Sequence, residues 1–214
     1  MYKYFFFLLI IFLSACKKED KPVNEDPADT HHFEIVTSPG SYWVYDVYNI
    51  DSLGNETIKP KQDTVYLIGD TLINGYSYAI YEGGYFGMKR TQVLRDSTGY
   101  LVSENGTIMM SYTNSSDTLD LFEDQLNSYI SFIIMDETDH SIDVPAGSFD
   151  VKRSLNTYFR PDGTDFTACN PTHTFNTYYA SGIGEVLSQT SFYNNITSNC
   201  SYLERRLAYF YLAD

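Results

Sequence analysis

Alternation of apolar and polar side chains runs through the chain from residue 33 onward and predicts β-strands. In residues 147–159 the apolar side chains fall mainly on odd positions and the polar ones on even positions, so one face of this strand is apolar and the other is wet. Residues 42–50 are apolar or aromatic on both faces, which is typical of a covered strand. Dipeptides such as Asn74-Gly75 and Asn105-Gly106 leave connections too short for anything but antiparallel neighbours. We predict about ten strands in one large antiparallel sheet.

One segment has helical spacing instead. Apolar side chains recur at intervals of three or four from Leu119 to Ile133, and Asp117 is placed to cap the start of a helix. We therefore expect residues 118–128 to form a helix that covers the sheet. Residues 129–135 fit either a continuation of this helix or a buried strand.

The N-terminal segment has the pattern of a cleaved export signal. Residues 5–13 form an unbroken apolar run of nine that follows Lys3. A membrane-spanning helix needs about 20 apolar residues, whereas the apolar region of a signal peptide needs roughly 7 to 15. Because the run is short, we interpret residues 1–15 as a signal peptide.

A short motif follows this run directly. Leu13-Ser14-Ala15-Cys16 resembles the lipobox of bacterial lipoproteins. The resemblance implies cleavage before Cys16 and attachment of a diacylglycerol to its sulfur, so that the protein incorporates labelled palmitate. Each buried methylene contributes about 0.8 kcal/mol, and more than one acyl chain gives stable anchoring. We therefore expect the mature protein to be attached to a lipid bilayer through Cys16 without spanning it.

Residues 16–32 are predicted to be the lipidated cysteine and a flexible tether. Apart from Cys16 and two prolines, the only apolar side chains of this stretch are Val23 and Ala28, too few to offset its ordering entropy. Lys17-Lys18-Glu19-Asp20 resembles the export signal of Bacteroidota-type surface lipoproteins. The resemblance implies the outer face of the outer membrane, with the periplasmic face as the alternative. Residues 33–214 contain no internal repeat and are predicted to form a single β-rich domain.

Composition narrows the class of protein. The chain has 28 Asp and Glu against 14 Lys and Arg, a formal charge of −14. An acidic surface is unsuited to phosphate contacts, so we expect no nucleic-acid partner. Aromatic residues make up 16% of the chain, far too many for a disordered protein. With Cys16 assigned to lipid, Cys169 and Cys200 are left to form a disulfide that closes a loop of about 30 residues.

No sequence motif for catalysis is present. The chain lacks a nucleophile elbow and a metal-binding His pair with Glu, so we expect no catalytic residue, no metal site and no cofactor. The densest group of ligand-type side chains is Asp136, Glu137, Asp139 and His140. It fits a solvated acidic turn before a strand, and it is also the one plausible group for a calcium ion or for hydrolysis.

The aromatic side chains are the strongest candidates for ligand binding. Trp43, Tyr45, Tyr76 and Tyr78 fall in predicted strands, where they can line a cavity for an apolar ligand or stack on a sugar. A tyrosine-rich core is the alternative. Arg153 interrupts the apolar face of its strand and is a candidate partner for a carboxylate or a ligand group, although its stem can also pack while its head reaches solvent.

Three stretches of the domain are similar to Bacteroidota-type lipoproteins and to the lipoprotein-carrier class. They are Ser41-Tyr42-Trp43-Val44-Tyr45, Val144-Pro145-Ala146-Gly147-Ser148-Phe149 and Tyr178-Tyr179-Ala180-Ser181-Gly182-Ile183-Gly184-Glu185-Val186. In the carrier class a curved antiparallel sheet wraps around a helix and an apolar cavity. The resemblance implies a mainly β fold, a half-barrel or open barrel of about ten strands with one covering helix.

These observations together favour a non-enzymatic lipoprotein of the outer membrane. We expect it to bind an apolar or glycan ligand, or to dock to a protein complex of the envelope, through a face or cavity of its sheet. One alternative is a hydrolase acting on envelope or extracellular polymer through Asp136, Asp139 and His140. Another is a structural component of a surface assembly.

Overall fold

The protein is a curved sheet of antiparallel strands. The computed structural model describes residues 34–126, 129–166, 174–190 and 200–214. The chain divides into two compact units, Met1–His31 and His32–Asp214, and every described residue belongs to the second. The described residues form fourteen strands in one sheet and contain no helix, which confirms the mainly β prediction. The strands are β1 (Tyr42–Ile50), β2 (Glu56–Ile58), β3 (Asp63–Ile73), β4 (Tyr76–Tyr85), β5 (Met88–Asp96), β6 (Tyr100–Ser103), β7 (Ile108–Ser111), β8 (Thr118–Asp124), β9 (Tyr129–Met135), β10 (His140–Val144), β11 (Gly147–Phe159), β12 (Phe175–Ala180), β13 (Gly184–Thr190) and β14 (Tyr202–Tyr211).

The first and last strands of the domain lie at the centre of the sheet. Strand β1 pairs with β14 from Tyr42–Tyr211 to Ile50–Tyr202, and it pairs with β3 and β2 on its other side. The strand order is β7-β6-β5-β4-β3-β1-β14-β13-β12-β11-β9-β8, with β10 paired to β11. Two arms therefore leave the central pair. The first arm consists of β3 to β7, and the second arm runs from β13 to β8.

The two arms curl toward each other and nearly close the sheet. Met110 on β7 is fully buried in a cluster with Leu119 on β8 and Met135 on β9. The hydroxyl of Ser154 on β11 donates a hydrogen bond of 3.2 Å to the carbonyl of Met109 on β7. Strands β7 and β8, at opposite ends of the strand order, thus lie side by side. The sheet is a nearly closed barrel with an interior between its arms.

Bulges help to bend the sheet. Three strands carry an extra residue where the register shifts: β14 at Ala208, β3 at Ile68 and β13 at Val186. An extra residue in one strand increases its local twist and bend. These three strands lie in both arms and in the central pair, so the curvature is distributed over the whole sheet.

A buried arginine joins four strands of the interior. Arg205 on β14 is 2% exposed, and its guanidinium donates hydrogen bonds to Glu185 on β13 (2.5 and 3.2 Å) and to the carbonyl of Gly84 on β4 (2.9 Å). Its central carbon lies 4.1 Å from the ring centroid of Tyr45 on β1 and 4.5 Å from that of Tyr85 on β4. Desolvation opposes the charge, but Glu185 and the two tyrosines outweigh it and raise the pKa of Arg205. The side chain is therefore a buried cation held between aromatic faces.

The predicted covering helix is wrong. Thr118–Asp124 is strand β8, and Tyr129–Met135, for which helix and strand were both open, is strand β9. The two strands form an antiparallel hairpin in which Asp124 pairs with Tyr129. Spacings of three and four arose because the apolar series continued across a chain reversal. Strands β2, β8 and β9 bring the number of described strands to fourteen in place of about ten.

Several predictions concern residues outside the described part of the chain. The signal peptide, Cys16 and the tether lie there, as does Cys169. Cys200 is disulfide-bonded. Its pairing with Cys169 stays a prediction. Among the described residues, none belongs to a helix long and apolar enough to cross a membrane.

Removal of the buried cation should destabilise the domain strongly. Arg205→Met leaves Glu185 buried without its partner, and we expect it to lower the free energy of unfolding by roughly 3 to 5 kcal/mol. The double variant Arg205→Met/Glu185→Met should recover part of this loss because no charge is then left unpaired. Urea unfolding followed by the fluorescence of Trp43, the single tryptophan, measures both.

The matched control is Arg95→Met. Arg95 also contacts two tyrosines, with its guanidinium carbon 4.5 Å from the ring centroid of Tyr76 and its Nε 3.1 Å from the hydroxyl of Tyr78, but it is only half-buried. Arg95→Met should therefore lower the free energy of unfolding much less than Arg205→Met does. Equal losses for the two arginine variants would contradict the role given to Arg205.

Candidate ligand-binding chamber

The interior between the two arms contains a chamber. One wall is formed by β4 to β7 and the other by β9, β11, β12 and β13. The chamber holds about 400 Å³ of space for the centres of water-sized molecules. Ligand pockets in proteins commonly measure about 300 to 1,000 Å³. The chamber is therefore large enough for a small ligand.

A smaller inner pocket is continuous with the chamber. Gln92, Leu94 and Tyr179 line both spaces, whereas Trp43 and Tyr45 line the inner pocket alone. The inner pocket holds only about 60 Å³ for water-sized molecules. A buried water occupies about 10 to 15 Å³ on this measure, so the pocket fits a few waters and no ligand. The chamber, and not the inner pocket, is the candidate site.

One amide in the chamber wall is incompletely hydrogen-bonded. Asn156 on β11 donates from Nδ2 to the hydroxyl of Tyr158 at 3.2 Å. Its other side-chain atom, Oδ1, is buried and has no hydrogen-bond partner in the described part of the chain. Gln189, by contrast, accepts from Asn176 and donates to Glu204 at 2.7 Å. Because Oδ1 is closed off from open space, the bonding position that Asn156 offers to a ligand is the second N–H of its NH₂ group.

The tyrosine hydroxyls of the chamber are neutral at physiological pH. Burial, with smaller contributions from Tyr129 and Tyr85, raises the pKa of Tyr158 to about 12. Burial also raises the pKa of Tyr179 well above the ordinary value of a tyrosine. Both side chains therefore present a ring and a hydroxyl group that can donate or accept a hydrogen bond.

The four aromatic residues predicted to bind a ligand lie in two places. Trp43 and Tyr45 are buried and donate hydrogen bonds to the carbonyls of Ile183 (2.8 Å) and Glu185 (2.9 Å). Tyr76 and Tyr78 lie with Arg95 and line neither the chamber nor the inner pocket. Two of the four thus border the inner pocket, and none lines the chamber.

Arg153 lies beside the acidic turn. Its guanidinium donates to Asp136, whose carboxylate also accepts from His140 (2.8 Å) and from the hydroxyl and backbone amide of Thr138. Desolvation opposes ionisation of Asp136, but these donors prevail and lower its pKa well below the usual range. Arg153 therefore joins β11 to the turn between β9 and β10.

The acidic turn does not assemble into a group that could carry out hydrolysis. Asp139 is 83% exposed and pairs with Lys152, whereas Asp136 pairs with Arg153 and His140. Within the described ranges no three His, Cys, Asp or Glu side chains are arranged to hold a metal ion. The two carboxylates belong to separate ion pairs, and nothing in their geometry favours the hydrolase alternative.

The residues that line the chamber were missed by the sequence reasoning. Asn156 and Tyr158 occupy even positions of β11, and so does Ser154. The alternation predicts a wet face at the even positions before Tyr158. Ser148 and Asp150 of that face are exposed as predicted, whereas the part from Ser154 onward borders the chamber. The feature of the sequence that could point to these residues is the row of polar side chains on a strand of a strongly curved sheet.

A second group of tyrosines lies outside the chamber. The ring centroid of Tyr42 lies 5.8 Å from that of Tyr66, 6.0 Å from that of Tyr209 and 5.7 Å from that of Tyr211. The last three side chains are about half exposed. The aromatic residues are therefore divided between the interior and an exposed cluster on β1, β3 and β14.

The fold and chamber define a nearly closed antiparallel barrel with a polar interior site. The sequence matches no protein-family model and no curated protein. A Bacteroides fragilis protein described as exported, with a YmcC-like fold, is similar in structure, with a TM-score of 0.45 and 15% identity over 84% of this chain and 99% of that one. A Parabacteroides distasonis protein described as a lipoprotein has a TM-score of 0.47 and 13% identity over the same shares.

The Asp136 ion pairs make the domain sensitive to acid. Asp136→Asn should lower the free energy of unfolding at pH 7 by about 1 to 3 kcal/mol, because it weakens hydrogen bonds to a half-buried carboxylate. The folded-state pKa is lowered, so this stabilisation is present at neutral pH and is lost as the pH falls below about 4, the ordinary pKa of Asp. Below that pH the difference in free energy of unfolding between wild type and variant should become smaller.

Urea unfolding at pH 7, 4 and 2.5 measures this difference. The matched control is Asp139→Asn, whose exposed carboxylate should contribute little at any pH. A difference that stays constant with pH, or an equal effect of both variants, would show that Asp136 does not stabilise the turn.

Proposed function

We propose that the protein is an outer-membrane lipoprotein whose β-domain binds a small ligand in the chamber and catalyses no reaction. The observation that carries the binding proposal is the space of about 400 Å³ between the arms, with hydroxyl and amide side chains from both arms on its wall. Pockets of this size with a few placed polar groups are the usual form of a small-molecule site.

The anchor is supported by the sequence. A short apolar run ends in Leu13-Ser14-Ala15-Cys16, and a polar, charged stretch follows. Acyl chains on Cys16 would hold the mature chain at the membrane, and the residues up to His32 would let the domain stand clear of it. The Lys17-Lys18-Glu19-Asp20 segment supports the outer face of the outer membrane, where the chamber would meet ligands from outside the cell.

Metabolic labelling tests the anchor. Wild type should incorporate labelled palmitate and fractionate with the outer membrane, and Cys16→Ala should do neither. Cys200→Ala is the matched control and should keep the label, because only Cys16 follows the lipobox-like residues. Equal labelling of wild type and Cys16→Ala would contradict the proposal. Protease digestion of the wild-type domain on intact cells is the expected sign of surface exposure.

Native mass spectrometry of protein purified from its own membrane tests the chamber. Thr177 on β12 lines it, so Thr177→Trp should fill the space and abolish a bound ligand mass. The matched control is Leu72→Trp, at a position 73% exposed on β3, which should keep the ligand. A ligand retained equally by both variants would exclude the chamber as its site.

A further inference from the structure

We propose that the ligand of the chamber is a neutral saccharide, a short chain of hydroxyl-rich sugar units. The assignment rests on the proposed function, because it names the class of ligand for the same chamber. Aromatic content alone fits either an apolar ligand or a glycan, and the assignment selects the glycan.

The chamber wall is dominated by hydrogen-bonding side chains. Hydroxyl groups of serine and threonine and amide groups of asparagine and glutamine come from both arms, and the aliphatic and thioether side chains of the wall are Leu94, Met109 and Ile133. An acyl chain in this space would strip water from many polar groups and give them no partner, which is unfavourable. A ligand that carries hydroxyl groups replaces that water.

Two amides leave bonding positions for such a ligand. Asn156 donates to Tyr158 with one hydrogen of its NH₂ group and keeps a second N–H for a ligand, whereas its Oδ1 is buried. The side-chain amide of Gln92 makes no hydrogen bond to another described residue and lies where the chamber meets the inner pocket. A sugar hydroxyl both donates and accepts, so it satisfies either orientation of each amide.

Aromatic rings supply the apolar part of the site. Tyr85, Tyr158 and Tyr179 line the chamber, and the Tyr158 ring is held edge-to-face against Phe175 with centroids 5.7 Å apart. A ring fixed in this way can pack against the C–H face of a sugar while its hydroxyl group stays available for a hydrogen bond. The rings can therefore pack on the C–H face of a pyranose while the amides bind its hydroxyl groups.

The charges of the wall favour an uncharged ligand. Arg90 and Glu104 are the lining side chains charged at neutral pH, and their formal charges cancel. The guanidinium carbon of Arg90 lies 4.6 Å from the ring centroid of Tyr85, where the ring already stabilises the cation. The buried Arg205 and Glu185 pair belongs to the inner pocket and is internally neutral. The charged side chains of the lining therefore select neither an anion nor a cation, and the acidic protein as a whole disfavours an anion.

Binding to neutral sugars tests the assignment. The full-length lipoprotein, reconstituted in nanodiscs, is applied to an array of neutral mono- to tetrasaccharides, and hits are titrated by calorimetry and by Trp43 fluorescence. We expect one-to-one binding that is weakened about tenfold or more by Gln92→Leu and by Asn156→Leu, because each removes hydrogen bonds to the ligand. Gln125→Leu, the matched change in an exposed turn, should bind like wild type.

The outcomes separate the sugar assignment from the proposed function. Sodium palmitate is titrated in parallel with wild type and with Thr177→Trp. If palmitate binds, Thr177→Trp blocks it and no sugar binds, the saccharide assignment is overturned while the chamber remains a ligand site. If neither probe binds, both proposals are overturned. Thermal unfolding checks each variant, and if Gln92→Leu does not fold, Asn156→Leu decides.

Discussion

One buried cation joins the two arms of the curved sheet. A guanidinium removed from water costs several kcal/mol unless its charge and its donors are satisfied. Arg205 meets this demand with a carboxylate on β13, a carbonyl on β4 and the ring of Tyr45 on β1. The carbonyl of Gly84 is 121 positions away in sequence. These partners are available together only when both arms bend around β14, so the same contacts that satisfy the charge join the two arms.

The sequence predicts where strands lie along the chain better than it predicts how the sheet curves. The bounds of β1 and β11 coincide with the predicted ranges because their side chains alternate or are apolar throughout. Strand β8 does not alternate: Leu119 is buried while Leu121 and Phe122 are exposed at the edge of the sheet, which is why its sequence predicts a helix. Apolar residues on an exposed edge strand do not follow the period of two, so periodicity alone gives the wrong element.

The candidate site was harder to predict than the fold for a related reason. Trp43 and Tyr45 were chosen for their size, and large rings on a central strand pack into the core and donate hydrogen bonds to carbonyls. Asn156 and Tyr158 have no motif, and their strand predicts only that one face is wet. Whether a wet face meets solvent or a chamber depends on bulges and on contacts distant in sequence. Neither is encoded in the local pattern.

The polarity of the chamber is itself an argument for function. Asn156, Thr177 and Gln189 place amide and hydroxyl groups on one wall of the chamber. Apolar side chains at these positions would pack across the gap and stabilise the domain, at about 25 cal/mol for each Å² of apolar surface buried. The domain forgoes this stabilisation and retains open, polar space in its interior. Departures from the rule that buried polar groups are paired are expected at sites of function. Open, polar space in the interior is the physical basis for the proposal that the chamber binds a ligand.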